Sequence, residues 1–146
     1  MSKTILYADD EPWFVEALFE ALTDAGYSLK KAKNGTEVLR YLKKPDELPD
    51  LIILDVIMPT GEDIPETNGG RRTGIKVHEI IRKEMHITDI PVLFLTVVDD
   101  SSVEGDVGNL ERSIGGKNIS VLIKPVLPTE LLERVRLLIG KEGNEK

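Results

Sequence analysis

Short apolar runs alternate along this chain with amphipathic stretches, a pattern that predicts an α/β domain built on a parallel sheet. Thr4-Ile5-Leu6-Tyr7-Ala8 reads as a first strand. Phe14, Val15, Leu18, Phe19 and Leu22 then recur at helical spacing, with Gly26 as a stop. Tyr27 to Lys33 alternates and is partly charged, which suits a strand at a sheet edge. Asn34-Gly35 reads as a turn before a short helix bearing Val38, Leu39 and Leu42. Leu51-Ile52-Ile53-Leu54 is apolar without interruption, the pattern of a strand covered on both faces.

Beyond Asp55 the periodicity lapses. Thr60 to Thr73 is polar and Gly-rich, and reads as a loop long enough to need a reason. Ile75, Val77, His78, Ile80 and Ile81 restart a helix, and Pro91 to Leu95 reads as the fourth strand. A short or irregular helix is expected within 107–114. Ile119 to Ile123 reads as the fifth strand. Pro128 suits the first position of a last helix carrying Leu131, Leu132, Val135, Leu138 and Ile139, with Gly140 after it. These elements fill the chain, so a single domain over 1–146 is expected, with a long loop at about 60–73 and a tail at 141–146.

Composition narrows the function. A chain of 146 residues can bury about two-thirds of its unfolded surface without a staple. There is no Cys, which excludes thiol chemistry and cysteine metal sites. The net charge of -7 argues against phosphate-backbone binding, so no nucleic-acid partner is expected. No signal-peptide pattern opens the chain and no apolar run approaches a membrane span. A cytoplasmic protein with no membrane partner is the expectation.

Reactive groups gather at strand ends. Asp9 and Asp10 follow the first strand, Asp55 the third and Thr96 the fourth, while the fifth ends in Lys124 before Pro125. A doubly wound sheet brings such ends together along one edge. Carboxylates a few ångströms apart repel by about 4 kcal/mol per close pair at a surface-like dielectric, so a cation must sit among them. Oxygen donors without His or Cys suit Mg²⁺. Lys124 adds a fixed charge and Thr96 a hydroxyl, a set that could stabilise a phosphoryl group on one carboxylate. Each residue alone has a plainer reading, since an Asp after a strand often caps a helix or forms a turn. The four strand ends in order favour the chemical one. His78, His86 and Trp13 read as structural or solvent-facing, and Arg134, Arg136 and Lys141 as ordinary charges near the last helix end.

Ala8-Asp9-Asp10-Glu11-Pro12, Asp55-Val56-Ile57-Met58-Pro59, Leu95-Thr96 and Ile123-Lys124-Pro125 resemble the signature segments of bacterial response-regulator receiver domains, the CheY-like superfamily. Gly74 through Arg82 also resembles the family's third helix. The resemblance implies a flavodoxin-like, doubly wound five-stranded parallel sheet of order 2-1-3-4-5 with helices on both faces. It implies Asp55 as phosphoacceptor, served by a sensor histidine kinase or a histidine phosphotransfer protein. Asp10, Asp55 and the backbone carbonyl of Ile57 would bind Mg²⁺ directly, with Asp9 helping mainly through water. Lys124 would pair with the acceptor and then the phosphate, and Thr96 would turn toward the phosphoryl oxygens.

Four features depart from the family pattern. The segment between Asp55 and Gly74 is longer by about eleven residues; Arg71-Arg72 there could meet an acidic partner surface or a phosphate, or the insertion could simply be solvated. Val121 stands where the family usually carries an aromatic, and Val97 where it favours Ala or Gly. Val98 to Ser120 is also long. With Ile57, Val97 and Val98 around the acceptor, a long-lived phosphoryl group is expected.

The reading that follows is a phosphoacceptor rather than an enzyme, which switches a binding surface or relays phosphate. One helix and a tail follow Lys124-Pro125, so no output domain is expected, though a fragment of a longer regulator or hybrid kinase fits as well. An aspartate-nucleophile phosphatase would need an acid at Ile57, and flavin would be repelled by Asp9-Asp10-Glu11. A phosphorylation-independent adaptor is the remaining alternative, opposed by the complete acidic set.

Overall fold

The computed structural model describes residues 3–9, 12–56, 58, 60–62, 64, 73–97 and 119–140, with 12–15, 45, 96 and 97 described by backbone alone. Five strands, β1 (Thr4–Ala8), β2 (Ser28–Ala32), β3 (Leu51–Asp55), β4 (Val92–Val97) and β5 (Ile119–Lys124), form one parallel sheet. Its order is β2-β1-β3-β4-β5, the doubly wound topology expected from the sequence. The chain starts in the middle, steps out to β2, then crosses to β3. That reversal opens a crevice between the ends of β1 and β3, where this class of sheet binds its ligands. The helices are α1 (Pro12–Asp24), α2 (Gly35–Leu42), α3 (Thr73–Glu79) and α4 (Pro128–Ile139). The helix expected within 107–114 lies outside the described residues. No described helix is long and apolar enough to cross a membrane.

Strand alternation sorts the core into two layers. Leu6, Ala8, Ile52, Leu54, Val92 and Phe94 bury one face beneath α2 and α3. Ile5, Tyr7, Leu51, Ile53, Leu93 and Leu95 bury the other, beneath α1 and α4. β3 is buried on both faces, as its apolar run predicts, β1 is buried on both faces from Ile5 onward, and β2 is the edge its partly charged pattern predicts.

Three local readings change. Asn34-Gly35 caps a helix rather than making a free turn: Asn34 accepts from the Glu37 amide at 2.9 Å. Helix α3 runs into a π-helical turn, Ile80–Glu84, closed where Met85 N–H donates to Ile80 O. Arg134 is no ordinary charge, because its guanidinium donates to Ser120 Oγ and to the Val121 carbonyl, tying α4 to β5. Pro128 does open α4, and Gly140 ends it at φ 85°. The end of α4 is held by Tyr27, whose hydroxyl donates to Gly140 O at 2.7 Å, and by Lys3 at Ile139 O.

His78 is structural, as expected, but not exposed. It is fully buried against Phe94, and Arg82 Nε donates to its Nε2 at 3.0 Å. Burial, then the charge of Arg82, hold it down to about 4. The unfolded chain takes up a proton near the ordinary value of 6.5 and the folded one does not. The stability His78 contributes is therefore whole above pH 6.5 and lost as pH falls toward 4, by up to about 3 kcal/mol. In urea titrations the stability of wild type relative to His78→Leu should rise with pH between about 5 and 6.5, a difference in which the other titrating groups cancel. A pH-independent difference would mean that His78 is not held neutral.

Candidate functional site

The side chains that matter follow from strand parity. Asp9 lies two residues beyond Tyr7, Asp55 two beyond Ile53 and Lys124 two beyond Leu122, and all three predecessors face the α1–α4 layer. Each functional residue therefore leaves the same face of the sheet at the C-terminal end of its strand. The ladder holds them there: Asp9 N–H donates to Ala32 O at 3.1 Å and Val56 N–H to Leu95 O at 3.0 Å.

Lys124 Nζ lies 2.9 Å from Asp55 Oδ2 and 3.3 Å from Asp9 Oδ2. All three side chains are buried. Three of the sequence-predicted residues, from three different strands, thus form one cluster. Thr96 sits in β4 with its backbone opposite Ile123, which places it at the same edge. Asp10 and Ile57 lie outside the described residues, as do Arg71 and Arg72.

One ammonium serves two buried carboxylates here, and the electrostatics show the shortfall. Burial, then the charge of Asp9, push Asp55 up to about 7, outweighing the charge and hydrogen bond of Lys124. Burial alone would lower Lys124, but the charge of Asp55, its hydrogen bond and then Asp9 hold it above its ordinary value. Asp55 is raised although it has a cationic partner, because its burial and the neighbouring charge of Asp9 outweigh that partner. A second cation would remove the surplus. Oxygen donors suit a hard divalent ion, so Mg²⁺ fits what is present. Among the described residues alone no cluster of three or more ligand residues forms.

Two features of the site were missed by sequence reasoning. Gly74 opens α3 directly against the end of β3, its N–H donating to Val56 O at 3.0 Å. A Cβ there would lie 2.5 Å from Asp55 O and 2.8 Å from Val56 Cα. The available signal was a glycine at a helix start just after a polar loop. The second is Tyr7, fully buried beside the cluster, whose hydroxyl finds no hydrogen-bond partner among the described residues. Burial and the charges of Asp9 and Asp55 raise it far above its ordinary range, so it stays protonated.

The described part of the long loop is docked. Thr60 O accepts from the Thr36 amide at 2.8 Å and hydroxyl at 3.0 Å, Arg40 pairs with Glu62 at 2.9 Å, and Ile64 is buried. Gly61 has φ +90°, and a Cβ would meet Thr36 Oγ1 at 2.4 Å. At these positions the loop is part of the α2 surface rather than a solvated insertion.

Residues 5–136 match the family described as the response regulator receiver domain. The chain belongs to that family. Among its relatives, the phosphate regulon transcriptional regulatory protein PhoB of Pseudomonas aeruginosa is 29% identical over 145 residues, 98% of this chain and 54% of that protein. The response regulator MprA of Mycobacterium bovis is 32% identical over 145 residues, 99% of this chain and 54% of that protein. The chemotaxis response regulator CheY4 of Vibrio cholerae superposes with a TM-score of 0.72 at 25% identity, covering 94% of this chain and 99% of that one. The receiver spans about half the length of the curated relatives it matches. A receiver is the phosphorylation-dependent signalling domain of a two-component response regulator, and that is the class of this one.

Proposed function

We propose that Asp55 is the phosphoacceptor and that Asp9, Asp10, Thr96, Lys124 and the Ile57 carbonyl serve it. The observation that supports this most strongly is the Lys124 ammonium shared between Asp55 and Asp9 at the C-terminal edge of the sheet. A carboxylate oxygen of Asp55 attacks phosphorus, the P–N bond of a donor phosphohistidine breaks, and the imidazole leaves with the electron pair and takes up a proton. Lys124 keeps its charge beside the acceptor throughout. As carboxylate becomes acyl phosphate, the ammonium gains a phosphoryl oxygen as partner. Mg²⁺, held by Asp10, Asp55 and the Ile57 carbonyl with Asp9 through water, would neutralise charge developing on the phosphoryl oxygens.

The donor is a sensor histidine kinase or a histidine phosphotransfer protein, the setting is cytoplasmic, and residues 1–146 act as one domain. The protein is a phosphoacceptor with slow self-dephosphorylation rather than an enzyme acting on other substrates. Val121 is half-buried against the α2–α3 layer. With no aromatic at that position, the switch runs through the backbone beyond β4.

Intact mass after incubation with phosphoramidate and Mg²⁺ should show one added phosphoryl group, absent without Mg²⁺ and absent in Asp55→Asn. No gain would favour the adaptor reading. Once formed, the phosphoprotein should persist well beyond seconds in Mg²⁺ buffer, because Ile57 and Val98 carry no polar side-chain group for an attacking water and Val97 is larger than the Ala or Gly the family favours there. Decay within seconds would refute that.

A further inference from the structure

The outer edge of β2 is built to take another strand. Ser28 N–H donates to Lys3 O, and Ala32 O accepts from Asp9 N–H, so these residues point their peptide groups toward β1. Alternation turns the N–H and C=O of Leu29 and Lys31 the other way, out of the sheet. The next outward amide, Lys33, is capped by Glu37 Oε1 at 2.7 Å. β2 ends the sheet, and among the described residues no strand pairs with its outer side. Leu29 and Lys31 thus leave two donors and two acceptors in register along that edge.

Beside that edge runs a groove of about 890 Å³ between β2 and α1, whose lining includes Phe19, Leu29, Glu16, Glu20 and Asp24. Lys31 Nζ rests over the Phe19 ring, 4.6 Å from its centroid. The groove therefore already seats one cation on an aromatic face, yet its three carboxylates outnumber that single ammonium. On the opposite face of β2 the exposed side chain is Lys30.

We propose that this edge binds an extended segment of a partner protein with Lys or Arg at alternate positions and neutral residues between. Added as a sixth strand, the segment would bond to the Leu29 and Lys31 backbone. Its basic side chains would point over α1 toward Glu16, Glu20 and Asp24, and its neutral ones toward Lys30. A second copy of this chain is a poor occupant, since pairing β2 with itself sets Lys30 and Lys31 against their like. The edge also reaches the acceptor site, because Ala32 at the end of β2 holds the Asp9 amide from its inner side.

The probe is the peptide acetyl-(Val-Arg)4-amide, with (Val-Glu)4 and a form N-methylated at alternate residues as controls. In the ¹⁵N-labelled receiver, hydrogen exchange at the Leu29 and Lys31 amides should slow at least tenfold on binding. The N-methylated peptide keeps the charge but loses ladder donors, and should bind at least tenfold more weakly. Glu16→Lys/Glu20→Lys, at exposed helix positions, should weaken binding as much, and so should Lys31→Pro, which deletes an outward N–H. Asp55→Asn should bind the peptide unchanged, so loss of phosphoryl acceptance and loss of docking are separate results. Protection elsewhere, equal binding of (Val-Glu)4 or of the N-methylated form, or self-association through β2 would overturn the proposal.

Discussion

Gly74→Ala should destabilise the receiver by about 3 kcal/mol, at the upper end of what overpacking usually costs. The added methyl would sit 2.5 Å from the Asp55 carbonyl oxygen and 2.8 Å from Val56 Cα, both backbone atoms at the end of β3. A side chain in such a place could rotate away; a backbone anchored by the Val56 N–H bond to Leu95 O cannot do so cheaply. Either α3 backs off, breaking the Gly74 N–H bond to Val56 O, or the strand end bends and carries Asp55 away from Lys124. Both outcomes also damage the site. Urea unfolding should therefore show the loss in midpoint, and phosphoryl uptake from phosphoramidate should slow at least tenfold in the fraction still folded. Wild-type stability and rate in this variant would mean that α3 does not press on the acceptor strand.

The second large effect is expected at Lys124. Lys124→Met keeps much of the side-chain volume and removes the only described cation touching Asp55 and Asp9. Breaking a buried pair by removing one partner typically costs 3–5 kcal/mol, and at pH 8 without Mg²⁺ the loss should be about that size. Its pH dependence tests the cause. Asp55 is already raised to about 7, above its ordinary value, so the folded state binds a proton there that the unfolded state releases. Stability from this group is present below about pH 4 and is lost as pH rises through about 7. Without Lys124 the folded value rises further and the loss at pH 8 deepens. Asp55→Asn, which cannot ionise, should recover part of that loss in the double variant, and a double-mutant cycle should show coupling. Phosphoryl acceptance should fall by two to three orders of magnitude, as when one fixed donor is removed from a transition-state site. A pH-independent loss, or additive single effects, would mean that the ammonium is not what holds the two carboxylates together.

Much of this protein is legible in its sequence because the signals are local and repeated. The inner strands read as short apolar runs, and the charged pair Lys30-Lys31 in β2 fits an edge, where both side chains stay exposed. The convergence of Asp9, Asp55 and Lys124 was readable too, since a parallel sheet gathers its strand ends and a period of two sets their face. What a sequence lacks is distance. Nothing local shows that Gly74 must leave room for the Asp55 carbonyl, because the clash is between segments with a polar loop between them. The docking of Thr60, Gly61 and Ile64 on α2 depends on Thr36 and Arg40, more than twenty residues earlier. Arg134 looked like a helix-end charge until β5 supplied the oxygens it donates to. The charge balance at the acceptor likewise belongs to the fold. Composition counts acids and bases over the whole chain, but only the fold buries Asp55 and Asp9 around the single ammonium of Lys124.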